Sequence, residues 1–159
     1  LNKKLSGKSE ELTGNLIAYK ERNEIVIRKT LSSNKTENIK IKIGGEIKIH
    51  DKMLSIIKVN LKDVKLGRIK NEEFISGDNI KESFTVRVWK EGDKFYPIGM
   101  HGTKKISDYL NDIKISAFER KDKLVLVNNG KIVWVIGQRL DDRFKLTSNT
   151  KKVLKLCLK

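Results

Sequence analysis

The stretch LVLVNNGKIVWVI, residues 124–136, decides the fold of this chain. Its first and last segments are almost wholly apolar, and they flank the dipeptide Asn129-Gly130. This dipeptide favours a type I′ turn, because both of its residues tolerate positive φ. The stretch therefore predicts an antiparallel β-hairpin with Trp134 in the core.

Period-2 alternation of apolar and polar residues, which is typical of half-buried strands, recurs on both sides of this hairpin. Isoleucines alternate with lysines at 39–43, and leucines alternate with lysine and cysteine at 154–158. The segment 84–89 alternates as well, just before the turn signal Glu91-Gly92-Asp93. Further strands are predicted at 16–19, 25–27, 47–49 and 53–59.

Two short helices are predicted in the second half of the chain. Thr103 is expected to cap the first, because apolar residues follow at 106, 109, 110 and 113. Ser116 and Glu119 have the spacing of a capping box and predict a second helical turn. The fold class is therefore α+β, with small, mostly antiparallel sheets and one or two short helices in the second half. The sequence pattern divides the chain into a strand-rich connecting region, 1–83, and a mixed domain, 84–159.

Positive charge is the outlying property of the composition. The 159 residues include 35 Lys and Arg against 20 Asp and Glu, a formal net charge of +15. The excess is denser in residues 84–159, which carry 17 basic and 8 acidic side chains, against 18 and 12 in residues 1–83. Such a charge attracts polyanions, of which nucleic acid is the commonest in a cytoplasm. A lysine-rich codon bias would give the same excess without any selection for binding.

Cysteine usage and hydropathy favour a reducing, cytoplasmic compartment. Cys157 is the only cysteine and cannot form an internal disulfide. The longest uninterrupted apolar run is residues 132–136, far below the roughly 20 residues of a membrane span. No charged and then apolar leader opens the chain, and its first residue is Leu1 rather than Met, which indicates a piece of a longer protein.

The sequence predicts no self-sufficient catalytic site and no metal site. No Cys and His residues have zinc-site spacing, and no Walker A pattern is present. Cys157 is interpreted as a core or edge residue. A free-standing hydrolase that uses Cys157, or Asp141 and Asp142, stays an alternative hypothesis for the function. The two aspartates are interpreted as solvated acids beside Arg139 and Arg143 rather than as metal ligands.

Two groups of cations are candidates for phosphate binding. Lys104 and Lys105 fall in the first turn of the predicted helix, where a docked anion would offset their unfavourable interaction with the helix dipole. A solvated lysine pair is an equally good interpretation. Arg87 shares a strand face with Trp89, which allows a cation–π pair or a surface on which bases stack. Further basic residues in or near irregular segments are Lys94, Arg120, Arg139 and Arg143.

Three blocks of residues 84–159 form a specific pattern: VRVWKEGDKFYPIGM at 86–100, GTKKISD at 102–108 and IVWVIGQRLDDRF at 132–144. Together they resemble the C-terminal domain of tRNA(Ile)-lysidine synthases. The first block is similar to the R-x-W-x-x-G-D-x-F-x-P-x-G-M opening of that domain, the second to its G-x-K-K-x-S-D step, and the third to its I-V-W-V-x-G-x-R-x-D-x-R-F block. The chain departs from the family at Ile115-Ser116, where Ile-Pro is frequent. It also lacks the Ser-Gly-Gly-x-Asp-Ser loop of the family's ATP-pyrophosphatase domain.

The resemblance implies a function for this fragment and for its parent. Intact enzymes of the family use ATP, with Mg, to activate C2 of the wobble cytidine in a tRNA(Ile) with a CAU anticodon, and then ligate lysine there. Their C-terminal region helps to hold the tRNA, towards its acceptor stem. The fragment is therefore expected to be non-catalytic and without a cofactor of its own. Its expected partners are tRNA(Ile) and the N-terminal catalytic domain, in the cytoplasm.

The predicted tRNA contacts are basic residues of the matching blocks and of the segment between them. They are Arg87, Lys94, Lys104, Lys105, Arg120, Arg139 and Arg143, with Trp89 and Asp108 in supporting positions. The alternative is a packing or dimerisation module that braces the catalytic domain. Basic residues gathered on one face would favour RNA, whereas an exposed apolar patch would favour a protein partner.

Overall fold

The computed structural model describes residues 9–12, 16–21, 24–29, 38–64, 69 and 71–159. Within these ranges the chain forms fourteen strands and two α-helices. The strands are β1 (Ser9–Leu12), β2 (Leu16–Glu21), β3 (Glu24–Lys29), β4 (Ile39–Lys42), β5 (Glu46–Ile49), β6 (Lys52–Val59), β7 (Glu72–Ser76), β8 (Ser83–Val88), β9 (Lys94–Phe95), β10 (Lys104–Lys105), β11 (Leu124–Asn128), β12 (Lys131–Val135), β13 (Arg139–Leu140) and β14 (Val153–Leu158). The helices are α1 (Ile106–Asp112) and α2 (Ala117–Lys121), and 3₁₀ turns occupy Leu61–Asp63 and Asp142–Phe144.

Antiparallel sheets organise these strands. A five-stranded sheet has the order β13-β12-β11-β8-β4, and a four-stranded sheet has the order β5-β6-β14-β7. Strands β1, β2 and β3 form a three-stranded sheet, and β9 pairs with β10 in a short ribbon. Every strand pairing in the described ranges is antiparallel. The mostly antiparallel sheets, and the two short helices in the second half, are as predicted.

The hairpin at residues 124–136 is confirmed. β11 pairs with β12, with one register irregularity after Leu126. Asn129 and Gly130 have φ values of 48° and 73°, the left-handed pair that a type I′ turn requires. The turn therefore takes the conformation that its sequence favours, and it sets the register of the centre of the five-stranded sheet.

The two predicted helix starts have different outcomes. Ser116 caps α2 as predicted, since its hydroxyl oxygen accepts a hydrogen bond from the backbone N–H of Glu119 at 3.2 Å. The prediction that Thr103 caps α1 is wrong, because the helix begins at Ile106 and Lys105 occupies its N-cap position. The physical reason is that β10 pairs with β9, which holds the residues before Ile106 in an extended conformation.

Strands from both sides of position 83/84 share the two large sheets. β4 is the edge strand beside β8, and β14 lies between β6 and β7. β7 falls in the mostly polar segment 60–83, where the sequence alone indicates no clear structure. Its register is fixed by β14, with Ser76 opposite Val153. Residues from both sides of 83/84 therefore contribute to the same core.

Two hydrophobic clusters hold the layers together. The first lies between the two large sheets and includes Phe84, Leu54 and Trp134, each at most 1% exposed, so Trp134 is a core residue as predicted. The second packs α1 and the ribbon onto the five-stranded sheet. In it the rings of Phe95 and Tyr109 meet edge to face, with centroids 5.1 Å apart. Burial of one such side chain stabilises by about 1.5–3 kcal/mol, so Phe95 fixes the ribbon to the sheet.

Candidate nucleic-acid interface

The β9–β10 ribbon places two lysines directly opposite each other. Lys94 pairs with Lys105, and the fully buried Phe95 pairs with Lys104. Lys94 and Lys105 are exposed, and neither makes an ion pair within the described part of the chain. Like charges at directly paired positions lie about 4.5–5.5 Å apart at Cβ and destabilise a sheet. An anion bound between the two ammonium groups would remove this repulsion.

Tyr96 and Arg143 lie next to the lysines of the ribbon and add an aromatic ring and a third cation to this surface. Phe95 is buried between exposed Lys94 and Tyr96, so the two exposed side chains leave the same side of the chain, with Cα atoms about 6.6 Å apart. The guanidinium carbon of Arg143 lies 4.6 Å from the centroid of the Tyr96 ring. We call Lys94, Lys105, Tyr96 and Arg143 the basic strip. Cations beside an aromatic ring are the combination that binds phosphates and stacked bases.

A buried carboxylate holds Arg143 in this position. Asp141 is 0% exposed, and its oxygens accept hydrogen bonds from Nε and Nη2 of Arg143 at 2.9 and 2.8 Å. They also accept the backbone N–H groups of Arg143, at 3.0 Å, and of Tyr96, at 2.9 Å. The hydrogen bonds from Arg143 to Asp141 raise the pKa of the guanidinium, so it stays charged. The interpretation of Asp141 as a solvated acid is therefore wrong, because this side chain lies wholly inside the protein.

Arg87 also has a carboxylate partner. Its Nη1 and Nη2 donate to Asp93 at 2.7 and 3.0 Å, and both side chains are largely buried. The turn that returns Asp93 to Arg87 contains Gly92, whose φ is 87°. Trp89 donates its indole N–H to the backbone carbonyl of Arg120. Among the described residues, the cation–π contacts do not include the predicted pair of Arg87 and Trp89.

Asp93→Asn is expected to make the stability of the protein less dependent on pH. Burial alone would raise the pKa of Asp93, but the hydrogen bonds from Arg87 and Lys90 and the charge of Arg87 outweigh it, so the pKa lies below the usual 3.8. A carboxyl group with a lowered folded pKa adds stability above its unfolded pKa and loses it as the pH falls through the folded value. Urea unfolding should show the variant about 2 kcal/mol less stable at neutral pH.

The difference between the wild type and Asp93→Asn should shrink as the pH falls below 3.8. Protonation of the wild-type carboxyl group then removes the charged interaction that the variant already lacks. A difference that stays constant from neutral to strongly acidic pH would show that the charge of Asp93 is not what stabilises the turn.

The remaining residues predicted to contact or support tRNA lie in different parts of the fold. Lys104 forms an ion pair with Asp112, the last residue of α1. Arg120 and Arg139 are half-buried and make no ion pair in the ranges that the structure covers, and Nε of Arg139 is buried there without an acceptor. Asp108 is exposed in the first turn of α1 and accepts a hydrogen bond from the hydroxyl of the preceding serine.

The described part of the structure gives little support to a metal site or a hydrolase site. Among the described residues, no group of three His, Cys, Asp or Glu side chains could hold a metal ion. Burial raises the pKa of the Cys157 thiol, and so does Glu72, which accepts a hydrogen bond from Sγ at 3.6 Å. A thiol in such surroundings is a poor nucleophile, which counts against the hydrolase hypothesis. No helix in the described ranges is both long enough and apolar enough to cross a membrane.

Comparisons with known proteins agree with the sequence resemblance. A family model described as the TilS substrate C-terminal domain matches residues 84–156. The tRNA(Ile)-lysidine synthase of Clostridium acetobutylicum is 30% identical over 159 aligned positions, which cover 97% of this chain and 34% of the relative. That of Parabacteroides distasonis is 41% identical over 92 positions, 58% of this chain and 21% of the relative. This chain belongs to the tRNA(Ile)-lysidine synthase family, as a C-terminal region.

The fold is also that of a solved lysidine synthase domain. A crystal structure of a TILS C-terminal domain matches with a TM-score of 0.65 at 16% identity, and the match covers 77% of this chain and 97% of that one. The structural match extends beyond residues 84–156, in line with the strands from both sides of 83/84 that share the two large sheets. The chain spans about a fifth to a third of the length of the curated relatives it matches.

The residues of the tRNA(Ile)-lysidine synthase blocks form pairs that the sequence alone did not reveal. Arg87 and Asp93 of the first block bind each other, as Asp141 and Arg143 of the last block do. Tyr96 was not among the predicted site residues, although it is an aromatic residue inside the first block and next to its single proline. The structure brings Lys94 and Lys105 together. That each basic residue contacts RNA stays a prediction.

Proposed function

We propose that this chain is the non-catalytic, tRNA-binding part of a tRNA(Ile)-lysidine synthase, and that it holds the RNA on the basic strip. The observation that carries the proposal is the direct pairing of Lys94 with Lys105, which no acidic side chain of the described residues neutralises. Two like charges at paired positions cost stability. A phosphate between them would accept charge-assisted hydrogen bonds from both ammonium groups, which supports a role in binding rather than in folding.

The composition of the strip suits an RNA helix. Double-stranded RNA is recognised mostly by its shape and by contacts to phosphates and 2′-hydroxyls, which requires cations at several spaced positions. The strip provides Lys105 and Lys94, which pair across the ribbon, and Arg143, which lies over the ring of Tyr96. The formal net charge of +15 would in addition attract tRNA from a distance. The acceptor stem is the helical part of the tRNA that we propose for this contact.

In the parent protein, this part would position a tRNA(Ile) with a CAU anticodon for a separate N-terminal catalytic domain, in the cytoplasm. That domain would use ATP, with Mg, to activate C2 of the wobble cytidine and ligate lysine there. The residues of the present chain would take no part in that chemistry. Their task would be to bind and orient the tRNA.

A titration of the chain with tRNA(Ile) at several salt concentrations tests the proposal. Each phosphate contact lowers the logarithm of the affinity by roughly 0.7–0.9 for a tenfold increase in salt. The three cations of the strip therefore predict a slope of about −2 to −3 when the logarithm of the affinity is plotted against the logarithm of the salt concentration. We call this quantity the salt slope. No binding at low salt, or an affinity that does not change with salt, would refute the RNA-binding function.

Lys94→Ala/Lys105→Ala is expected to weaken tRNA binding without destabilising the protein. Loss of two phosphate contacts should make the salt slope shallower by about 1.4–1.8. The free energy of unfolding should stay the same or rise slightly, because the repulsion between the lysines disappears. Salt titrations and urea unfolding of the double variant measure the two effects.

Lys48→Ala/Lys58→Ala is the matched control for this double variant. Both residues are exposed and lie on the four-stranded sheet, so the control removes the same charge from another surface. It should leave the salt slope nearly unchanged. Equal losses in the two double variants would assign binding to overall charge instead of the basic strip.

A packing or dimerisation module is the second candidate function, and β3 favours it. Ile25 and Ile27 are 72% and 57% exposed and lie on one face of this strand, at the edge of the three-stranded sheet. Exposed apolar edge strands readily pair with another chain. Sedimentation distinguishes the candidates: self-association that Ile27→Lys abolishes favours the module, whereas a monomer that binds tRNA favours the first function.

A further inference from the structure

We propose that a small cavity beside the basic strip takes one unpaired nucleotide of the bound RNA. The cavity has a volume of about 190 Å³ and lies where the β11–β12 turn meets the segment after β7 and the 3₁₀ turn at 142–144. The lining residues that matter here are Asn79, Ile80, Asn129, Lys131, Arg143 and Phe144. This inference rests on the proposed RNA-binding function and adds a part of the same site that would hold a base.

The lining of the cavity is cationic and rich in amides, and it contains no carboxylate. Lys131 is exposed and makes no ion pair within the described ranges. Arg143 binds Asp141 through Nε and Nη2, which leaves both protons of Nη1 and one proton of Nη2 for a ligand. The exposed amides of Asn79 and Asn129 have no partner among the described residues. A ligand with an anionic group and several hydrogen-bonding groups fits this lining.

The walls of the cavity are fixed by the core. Ile80 and Phe144 pack against the cluster between the two large sheets, so their remaining surface is held in place for a planar group. Asn128 is 2% exposed, and its amide donates to the carbonyl oxygens of Lys81 and Ser83 at 2.8 and 3.1 Å. It also accepts the N–H of Lys81 at 3.0 Å. Unpaired RNA bases are held by aromatic rings and by hydrogen bonds to their edges, and this cavity offers both.

Size and charge favour a nucleotide of a polymer over a free small molecule. Pockets for whole small molecules measure about 300–1,000 Å³, so a cavity of about 190 Å³ accepts one part of a larger ligand. A larger cavity of about 450 Å³ elsewhere in the molecule is lined by Asp51, Glu119 and Asp122 as well as by Lys52 and Lys123, so its acidic side chains offset its lysines. The small cavity instead adjoins the basic strip, because Arg143 lines the cavity and also covers the Tyr96 ring.

Short RNA duplexes and the 159-residue chain test this inference. The affinity for a blunt duplex is compared with that for the same duplex carrying one unpaired nucleotide at its 3′ or its 5′ end. We expect the unpaired nucleotide to increase the affinity about tenfold at one of the two ends. Asn79→Ala/Lys131→Ala should remove this gain and largely retain the affinity for the blunt duplex. Lys48→Ala, an exposed lysine on the other large sheet, is the control that should keep the gain.

The outcomes separate this inference from the proposed function. If no duplex binds, the RNA-binding function fails, and the inference fails with it. If the blunt duplex binds as tightly as both overhanging duplexes, the chain binds RNA but the inference is overturned. A gain that survives in the double variant also overturns it. So does a free nucleoside monophosphate that binds as tightly as the overhanging duplex, because the cavity would then serve free nucleotides.

Discussion

Asp141→Asn is expected to destabilise the protein by about 3 kcal/mol, because it removes the charge of a buried carboxylate to which four N–H groups donate. The wild-type carboxylate is 0% exposed and accepts hydrogen bonds from two side-chain nitrogens of Arg143 and from the backbone N–H groups of Arg143 and Tyr96. An amide of the same shape is neutral, and its NH₂ group would face one of these donors. Bonds to an ionised acceptor are roughly twice as strong as neutral ones. Urea unfolding followed by tryptophan fluorescence measures the loss.

The same variant should also weaken tRNA binding, since Asp141 holds Arg143 over the ring of Tyr96. Asp142→Asn is the matched control at the next position. Its side chain is 37% exposed and pairs with Lys145, which is 48% exposed, and such exposed pairs contribute about 0–1 kcal/mol. The control should therefore lose less than about 1 kcal/mol. A similar small loss for Asp141→Asn would contradict its role as the buried centre of this corner of the fold.

The strands and the hairpin could be predicted from the sequence because local properties determine them. Ile41 lies between two lysines and Lys155 separates Leu154 from Leu156, and these three apolar residues lie in the cluster between the large sheets. Asn129 and Gly130 reach positive φ at little cost, so the chain reverses there whatever packs around it. In each case the preference belongs to a residue and its immediate neighbours, and the tertiary fold only uses it.

The proposed tRNA-binding surface could be predicted only in part, because the partner of a charged residue is set by the fold. Arg87 looked as available as Lys94 in the sequence, yet the turn at 90–93 brings Asp93 to Arg87 and no acid to Lys94. Lys94 and Lys105 face each other because the intervening loop returns β10 onto β9. Periodicity does not contain this information. The family blocks contain both ion pairs and the paired lysines, but they did not distinguish the cations that bind carboxylates from those that have no carboxylate partner in the described residues.

Lys105→Glu is expected to raise the stability of the protein and to lower its affinity for tRNA. The new carboxylate would lie opposite Lys94 across the ribbon, where a pair of opposite charges is worth about 0.2–1 kcal/mol and replaces a repulsive pair. It would also lie at the N-terminal end of α1, where negative charge interacts favourably with the helix dipole. We expect the free energy of unfolding to rise by about 1 kcal/mol. Urea unfolding measures this change.

The affinity for tRNA should fall further in Lys105→Glu than in Lys105→Gln. The glutamate neutralises Lys94 and repels phosphate, so the salt slope should lose about two contacts, roughly 1.4–1.8, whereas the glutamine should remove about one. If the lysine pair served folding, both substitutions would lower stability and binding together. A rise in stability together with a loss of binding is instead expected of a surface that binds a polyanion. The same positive charges repel each other in the free protein and attract phosphate in the complex.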